Sequence, residues 1–380
     1  MLNRLKGFLY DCIGTIACFG KRPSPSPKLL IIKTDEIGDF MLWHKFLDEL
    51  IGAERFRNHE IHFCGNSSWE SLFNCFHRGK VARTYWLQKS VFKRQMPYRY
   101  HFLRTIFREH YSCVINLQFS RDKTFDDALV LAAKAACVIG MDSNLENVRS
   151  YQLGYDRKLY TELFTHPERP IFDFVRNRLF TEFITQKPSL IKNTRIDPAA
   201  LPLLPFTLQK PYFVVFPGSR NPARIWPASS FITVANHLHT TFGWTAVVCG
   251  GPGDTTFSEA FLQGYEHPYV DLTAKTSLPE LMSVLKDAAC LLSVDTGSVH
   301  LAAATGCTVF GIFNGSQYGR FAPYPKEIAD NFYAVYPDEV AKEISDPKQI
   351  QERYEYVVDI PYRNVSPEQL IQQIKNHYHQ

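Results

Sequence analysis

The residues best suited to chemistry stand in the run Asp295-Thr296-Gly297-Ser298-Val299-His300, which gathers a carboxylate, two hydroxyls, a glycine and an imidazole. The run follows the apolar stretch Cys290-Leu291-Leu292-Ser293-Val294 and leads into helical spacing. A helix opened there presents free main-chain N–H groups to an anion, and Gly297 lets the ligand approach the backbone closely. A phosphate fits that arrangement. So does an ordinary strand-to-helix turn capped by Thr296 or Ser298. A second run, Pro217-Gly218-Ser219-Arg220-Asn221-Pro222-Ala223-Arg224-Ile225-Trp226-Pro227, also lies between a buried strand and a helix. Its arginines match phosphate oxygens bidentately, so a diphosphate can be bracketed between Arg224 and the helix start at Ser298. Pro227 suits a helix's first turn without any function, and Trp226 reads equally as packing or as contact.

Earlier in the chain, Lys33-Thr34-Asp35-Glu36-Ile37-Gly38-Asp39 again follows a buried strand and opens a helix. Asp39 can be a simple cap. Opposite a nucleotide-sugar it can instead take a proton from an acceptor hydroxyl while that oxygen attacks an anomeric carbon, with Gly38 keeping the approach open. Lys89, Lys93, Arg94, Arg99, Arg104 and Arg108, interleaved with Phe92, Tyr98, Tyr100, Phe102 and Phe107, make the most basic and aromatic stretch. It reads as a solvated face over a core stripe or as a contact for an acidic acceptor such as a phosphorylated lipid or glycan, which makes Gly38, Lys93, Arg94 and Arg99 the acceptor-side candidates.

These runs need elements to hold them. Residues 29–32, 61–64, 82–87, 113–117 and 137–140 read as strands, and helical stretches fall at 98–110, 126–136 and 174–185. Residues 186–211 lose periodicity and carry five prolines, the pattern of a linker. A second series then begins, with strands at 212–216, 245–249, 290–294 and 308–313 and helices at 229–241, 278–288, near 298 and at 367–377. Such alternation predicts parallel β/α units with ligands at the C-terminal strand ends. The expected division is 1–27 as an amphipathic segment with a Pro/Ser spacer, 28–190 as an acceptor domain, 191–210 as a linker and 211–380 as a donor domain.

At 380 residues the chain has room for two cores, and 45% hydrophobic against 21% charged residues excludes disorder. A net charge of +4 is too small and too dispersed to argue for nucleic acid. The nine cysteines are odd in number and lack zinc-type CxxC spacing, as expected for reduced thiols in a cytoplasm. No apolar run is long enough to span a bilayer. In residues 1–20, Leu2, Leu5, Leu9, Cys12, Ile13 and Ile16 fall at helical spacing with Arg4 and Lys6 early. That segment can lie on a membrane surface or pack on its own domain.

Taken in order, Leu30 to Asp39, Val114 to Gln118, Val138 to Asp142, Pro217-Gly218-Ser219 with Arg224 and Trp226-Pro227, Gly250-Gly251-Pro252-Gly253, Asp271 to Leu278 and Asp295 to Ala304 resemble glycosyltransferase family 9. These are the bacterial heptosyltransferases of the lipopolysaccharide inner core. The resemblance implies a GT-B type α/β chain, with two Rossmann-like parallel-sheet domains facing across a cleft. It also implies inverting transfer from ADP-L-glycero-D-manno-heptose to a core or related envelope glycan, with no metal or other cofactor. By that resemblance Asp39 matches the general base, Ser219 and Arg224 match phosphate contacts, Thr296 and Gly297 match the pyrophosphate turn, and Asp295 matches an acid on sugar hydroxyls. Ser298 and His300 belong to the same donor motif. The family usually has Lys at Arg224, Pro at Lys45 and His at Phe216. The expected place is the cytoplasm, at the inner membrane's cytoplasmic face if residues 1–20 bind lipid. The competing reading is an inactive nucleotide-sugar-binding scaffold of envelope assembly. An oxidoreductase ranks below both, because the first strand does not lead into GxGxxG.

Overall fold

The computed structural model describes residues 2–21, 24, 26–147, 158–166 and 170–378. Contacts divide the chain into two units, one of residues 1–167 and 177–190, the other of 168–176 and 191–380.

The first unit is built on strands β1 (Lys28–Lys33), β2 (Glu60–Asn66), β3 (Arg83–Leu87), β4 (Cys113–Asn116), β5 (Cys137–Met141) and β6 (Glu162–Phe164). They form one parallel sheet in the order β3-β2-β1-β4-β5-β6, the doubly wound Rossmann order. Strand β1 is central and its Leu-Leu-Ile-Ile run is buried on both faces, as a strand covered above and below must be. One face carries an aromatic cluster in which Phe40, Phe63, Trp69, Phe73 and Trp86 stack or meet edge to face. The other carries Leu30, Ile32, Leu103, Ile106, Val114 and Leu129.

Among the described residues the α-helices of this unit are α1 (Leu2–Ala17), α2 (Ile37–Met41), α3 (Leu47–Ile51), α4 (Glu70–His77), α5 (Lys89–Arg94), α6 (Met96–Arg108) and α7 (Asp126–Ala133). Helix α8 (Asp173–Thr185) gives its first residues to the second unit and the remainder to the first. The segment expected to choose between membrane and domain does pack: Ala17 of α1 is fully buried and Arg104 of α6 donates to the Ala17 carbonyl. Arg22, Pro23 and Pro25 of the Pro/Ser spacer lie outside the described residues.

The second unit repeats the plan with β7 (Tyr212–Phe216), β8 (Thr245–Val248), β9 (Tyr269–Asp271), β10 (Cys290–Val294), β11 (Thr308–Ile312) and β12 (Phe332–Val335), in the order β12-β11-β10-β7-β8-β9, all parallel. Its longer helices are α9 (Ala228–Phe242), α10 (Thr255–Leu262), α11 (Leu278–Lys286), α12 (Gly297–Thr305), α13 (Asp338–Glu343) and α14 (Pro367–Tyr378). Helix α11 starts on a capping box between Ser277 and Glu280. The expected linker is tied down: the Ile196 amide donates to the Ala304 carbonyl, and Ser283 donates to that of Pro202. Residues 191–210 therefore belong to the second unit.

Both sheets place a central strand between neighbours with opposite crossover directions, at β1/β4 and at β10/β7. These are the points where a doubly wound sheet opens a crevice at its C-terminal edge.

Candidate functional site

In the second unit, β7 and β10 are parallel neighbours, with Ser293 level with Phe216, so the loops that follow them leave the sheet side by side. Arg224 stands at the end of a short turn, Pro222–Arg224, fixed by the Asn221 side chain accepting from the Ala223 amide at 3.0 Å. Its Nη1 donates to Asp295 twice, to carboxylate Oδ2 at 3.0 Å and to the main-chain carbonyl at 3.1 Å. Burial raises the Asp295 carboxyl above its ordinary value, and the Arg224 guanidinium opposes that rise. Ser219 is buried beside them, its hydroxyl accepting from the Asn221 amide at 3.2 Å.

Helix α12 starts two residues after Asp295. Thr296 is its N-cap in extended backbone and makes no side-chain cap bond. Instead the hydroxyls turn on one another: Thr296 Oγ1 lies 2.7 Å and Ser293 Oγ 2.8 Å from Ser298 Oγ. Thr296 therefore does not cap the turn through its side chain, while the Val299 amide donates back to the Thr296 carbonyl at 3.3 Å. The amides of Gly297 and Ser298 at this helix start are of the kind that can meet an anion. One turn along, His300 is buried, pushed down to about 4 chiefly by desolvation, and paired through Nδ1 with the Tyr324 hydroxyl at 2.7 Å. It is a neutral imidazole at physiological pH.

Two features of this edge escaped the sequence. Asp254 follows the Gly250-Gly251-Pro252-Gly253 run and accepts from the Gly251 amide at 2.8 Å. It is pressed so closely to Gly218 that a Cβ there would lie 2.3 Å from Asp254 Oδ1. A carboxylate in the first helical turn after a buried strand was the available signal. Tyr324, 24 residues beyond His300, gave none. An open pocket of about 340 Å³ adjoins Arg224, with Asn221, Asn314, Asp359, Tyr362 and Arg363 in its walls. Trp226 is packing: it is buried, its indole N–H donates to the Val365 carbonyl, and its ring meets Phe231 edge to face.

In the first unit, Asp39 is the third residue of α2, and its carboxylate accepts from the Glu36 amide at 3.3 Å as part of a capping box. The cap reading of Asp39 is thus realised for one oxygen. Gly38 is buried beside it. Buried Lys33 pairs with Asp35 at 2.6 Å, and Lys89 with Glu36 at 3.0 Å, so this strand end mixes both signs of charge.

The basic stretch separates. Lys93 and Arg94 are exposed at the end of α5. Arg99 is only 2% exposed, lies over the rings of Tyr10 and Phe92, and donates to the Thr124 carbonyl at 2.8 Å. Burial lowers it to about 10. Its guanidinium is committed within the domain, which corrects its reading as an acceptor contact.

The family model for "Glycosyltransferase family 9 (heptosyltransferase)" matches residues 99–347. The chain belongs to glycosyltransferase family 9. Among family 9 relatives it is 28% identical over 116 residues to lipopolysaccharide heptosyltransferase 3 of Escherichia coli, covering 30% of this chain and 34% of that protein. It is 25% identical over 136 residues to the lipopolysaccharide core heptosyltransferase OpsX of Haemophilus influenzae, covering 35% and 38%. These matches span about a third of each relative's length.

Solved structures share the fold over far more. A glycosyl transferase family 9 protein from Veillonella parvula aligns over 94% of this chain and 98% of its own at TM-score 0.66 and 16% identity. E. coli heptosyltransferase WaaC, solved with ADP-2-deoxy-2-fluoro heptose, aligns over 92% and 99% at TM-score 0.65 and 17% identity. The doubly wound units of this chain are those of a GT-B type family 9 protein. Among the described residues no helix is long and apolar enough to cross a membrane.

Proposed function

We propose that this family 9 chain is an inverting glycosyltransferase that moves heptose from an ADP-heptose donor to a lipopolysaccharide-core or related envelope glycan. The observation that carries the reading is the Arg224–Asp295 contact beside the uncapped start of α12, which collects a guanidinium, free N–H groups and a carboxylate at one strand edge.

In this reading the pyrophosphate lies on the first turn of α12, with Ser219 and Arg224 as further donors. As the glycosidic C–O bond breaks, negative charge grows on the departing diphosphate. The guanidinium and the helix start stabilise that charge, the task a metal serves elsewhere, so the reaction is assigned no metal. Asp295 accepts from sugar hydroxyls, and Asp254 is suited to those of the ribose. The acceptor oxygen attacks the anomeric carbon from the face opposite the leaving group. Its proton passes to Asp39, and configuration inverts. His300, neutral and held by Tyr324, supports the turn.

The deciding experiment incubates the wild type and Asp39→Asn with ADP-heptose and a heptose-deficient core acceptor, reading product by mass spectrometry and ADP binding by calorimetry. Transfer by the wild type, with a loss on the order of 10²–10⁴-fold in the variant and near-normal ADP binding, is the expected result. Ordinary turnover in the variant removes Asp39 as base. Donor binding without transfer in the wild type favours the scaffold.

A further inference from the structure

We infer that the outward face of α1 is an interfacial docking surface for an anionic lipid bilayer, lying along the headgroup layer rather than crossing it. This goes beyond the transfer reading and does not depend on it.

Helix α1 carries apolar residues on two sides. Tyr10, Ile13 and Ala17, spaced by three and four, turn inward: Ala17 is fully buried, Tyr10 lies under Arg99, and the Tyr10 hydroxyl donates to the Lys93 carbonyl. The helix packs on α6 and α7. On the other side Phe8, Cys12, Ile16 and Phe19 recur at the same spacing with Leu9 beside them, and Phe8, Ile16 and Phe19 are 66%, 61% and 79% exposed. Phe8, Leu9, Ile16 and Phe19, with half-buried Cys12 between them, thus form a stripe that the fold leaves largely in water. Single exposed apolar side chains are ordinary, but a helical row of large ones marks an interaction face.

Charge identifies the occupant. Helix α6, which packs against α1, carries no Asp or Glu, and besides the sealed Arg99 it holds Arg104 and exposed Arg108. Arg104 donates to the carbonyls of Ala17 and Phe19, Lys134 donates to that of Cys18, and Lys21 is exposed next in sequence, so cations border the C-terminal half of the stripe. Lys123 reaches Asp11 on the flank, and exposed Lys93 lies beside Tyr10. An apolar row with a cationic border matches acyl chains below and anionic headgroups around them. A second copy of the same face would bring like charges together. With 16 residues and Asp11 within it, α1 is too short and too polar to span.

The test is flotation of the full chain with vesicles of phosphatidylcholine, alone or with a minority of phosphatidylglycerol. The wild type should float with the anionic vesicles and release as salt is raised. The triple variant Phe8→Gln, Ile16→Gln, Phe19→Gln should lose on the order of tenfold or more in partitioning, while melting temperature and ADP binding stay unchanged. Lys21→Glu with Arg108→Glu, which leaves the apolar row intact, should weaken binding to anionic vesicles only. Failure of the wild type to float, or equal flotation of the triple variant, overturns the inference. So does self-association that the triple variant abolishes in a chain that ignores vesicles. Transfer activity is not the readout, so this result stands or falls separately from the proposed reaction.

Discussion

Arg224 holds Asp295 by both its side chain and its main chain, at 3.0 and 3.1 Å, so the cation assigned to the diphosphate also fixes the acid assigned to the sugar. One residue from the loop after β7 thereby sets the shape of the turn after β10. Arg224→Ala should weaken ADP binding by about tenfold or more, the scale of a lost charge-assisted hydrogen bond. Arg224→Lys should fall between, because an ammonium keeps the charge but loses the planar guanidinium's bidentate match to phosphate oxygens. Calorimetry with ADP measures this, and an unchanged dissociation constant for Arg224→Ala would remove the residue from the site.

Gly218 is where the backbone passes Asp254 too closely for a side chain. Gly218→Ala should displace the Asp254 carboxylate, lower stability by about 1–3 kcal/mol and weaken nucleotide binding together. A crystal structure of the variant with Asp254 unmoved, or full ADP affinity, would contradict this.

His300 makes a pH prediction. Its folded value of about 4 lies below the unfolded value near 6.5, so between the two the unfolded chain binds a proton that the folded chain does not. Stability therefore rises with pH across that window and is lost on acidification, by about 2 kcal/mol for this residue at about pH 5. Buried His44 and His77 are lowered as well and add to the same slope. Melting curves at neutral and mildly acid pH should show a smaller acid loss for His300→Gln than for the wild type. Parallel losses would refute the assignment.

Arg99 separates structure from substrate contact. If its guanidinium serves the packing of Tyr10, Phe92 and Thr124, Arg99→Ala should destabilise the first unit by about 2–4 kcal/mol, seen as a drop in melting temperature of several degrees. A variant that melts like the wild type and loses only acceptor affinity would restore its reading as a ligand contact.

Much of this was legible because the strongest signals are local. The strands before Thr34, Pro217 and Asp295 are mostly apolar, as a strand buried on both faces must be. Strands β6, β9 and β12 were missed because they are short edge strands with mixed burial, and an edge strand needs no apolar run. The end of the second β/α series was read as one strand and a final helix, while β12 and α13 between them escaped notice.

The amino-acid sequence by itself determined two β/α series, the three strand-end turns and the family they resemble, since each depends on residues near one another in the chain. Tertiary structure decided what periodicity is blind to. It sealed Arg99 inside, joined Arg224 to Asp295 across 71 residues and His300 to Tyr324, and drew 191–210 into the second unit. It also chose which side of α1 faces in: with apolar residues on both sides of that helix, only the position of α6 and α7 could say which row meets the core and which meets water.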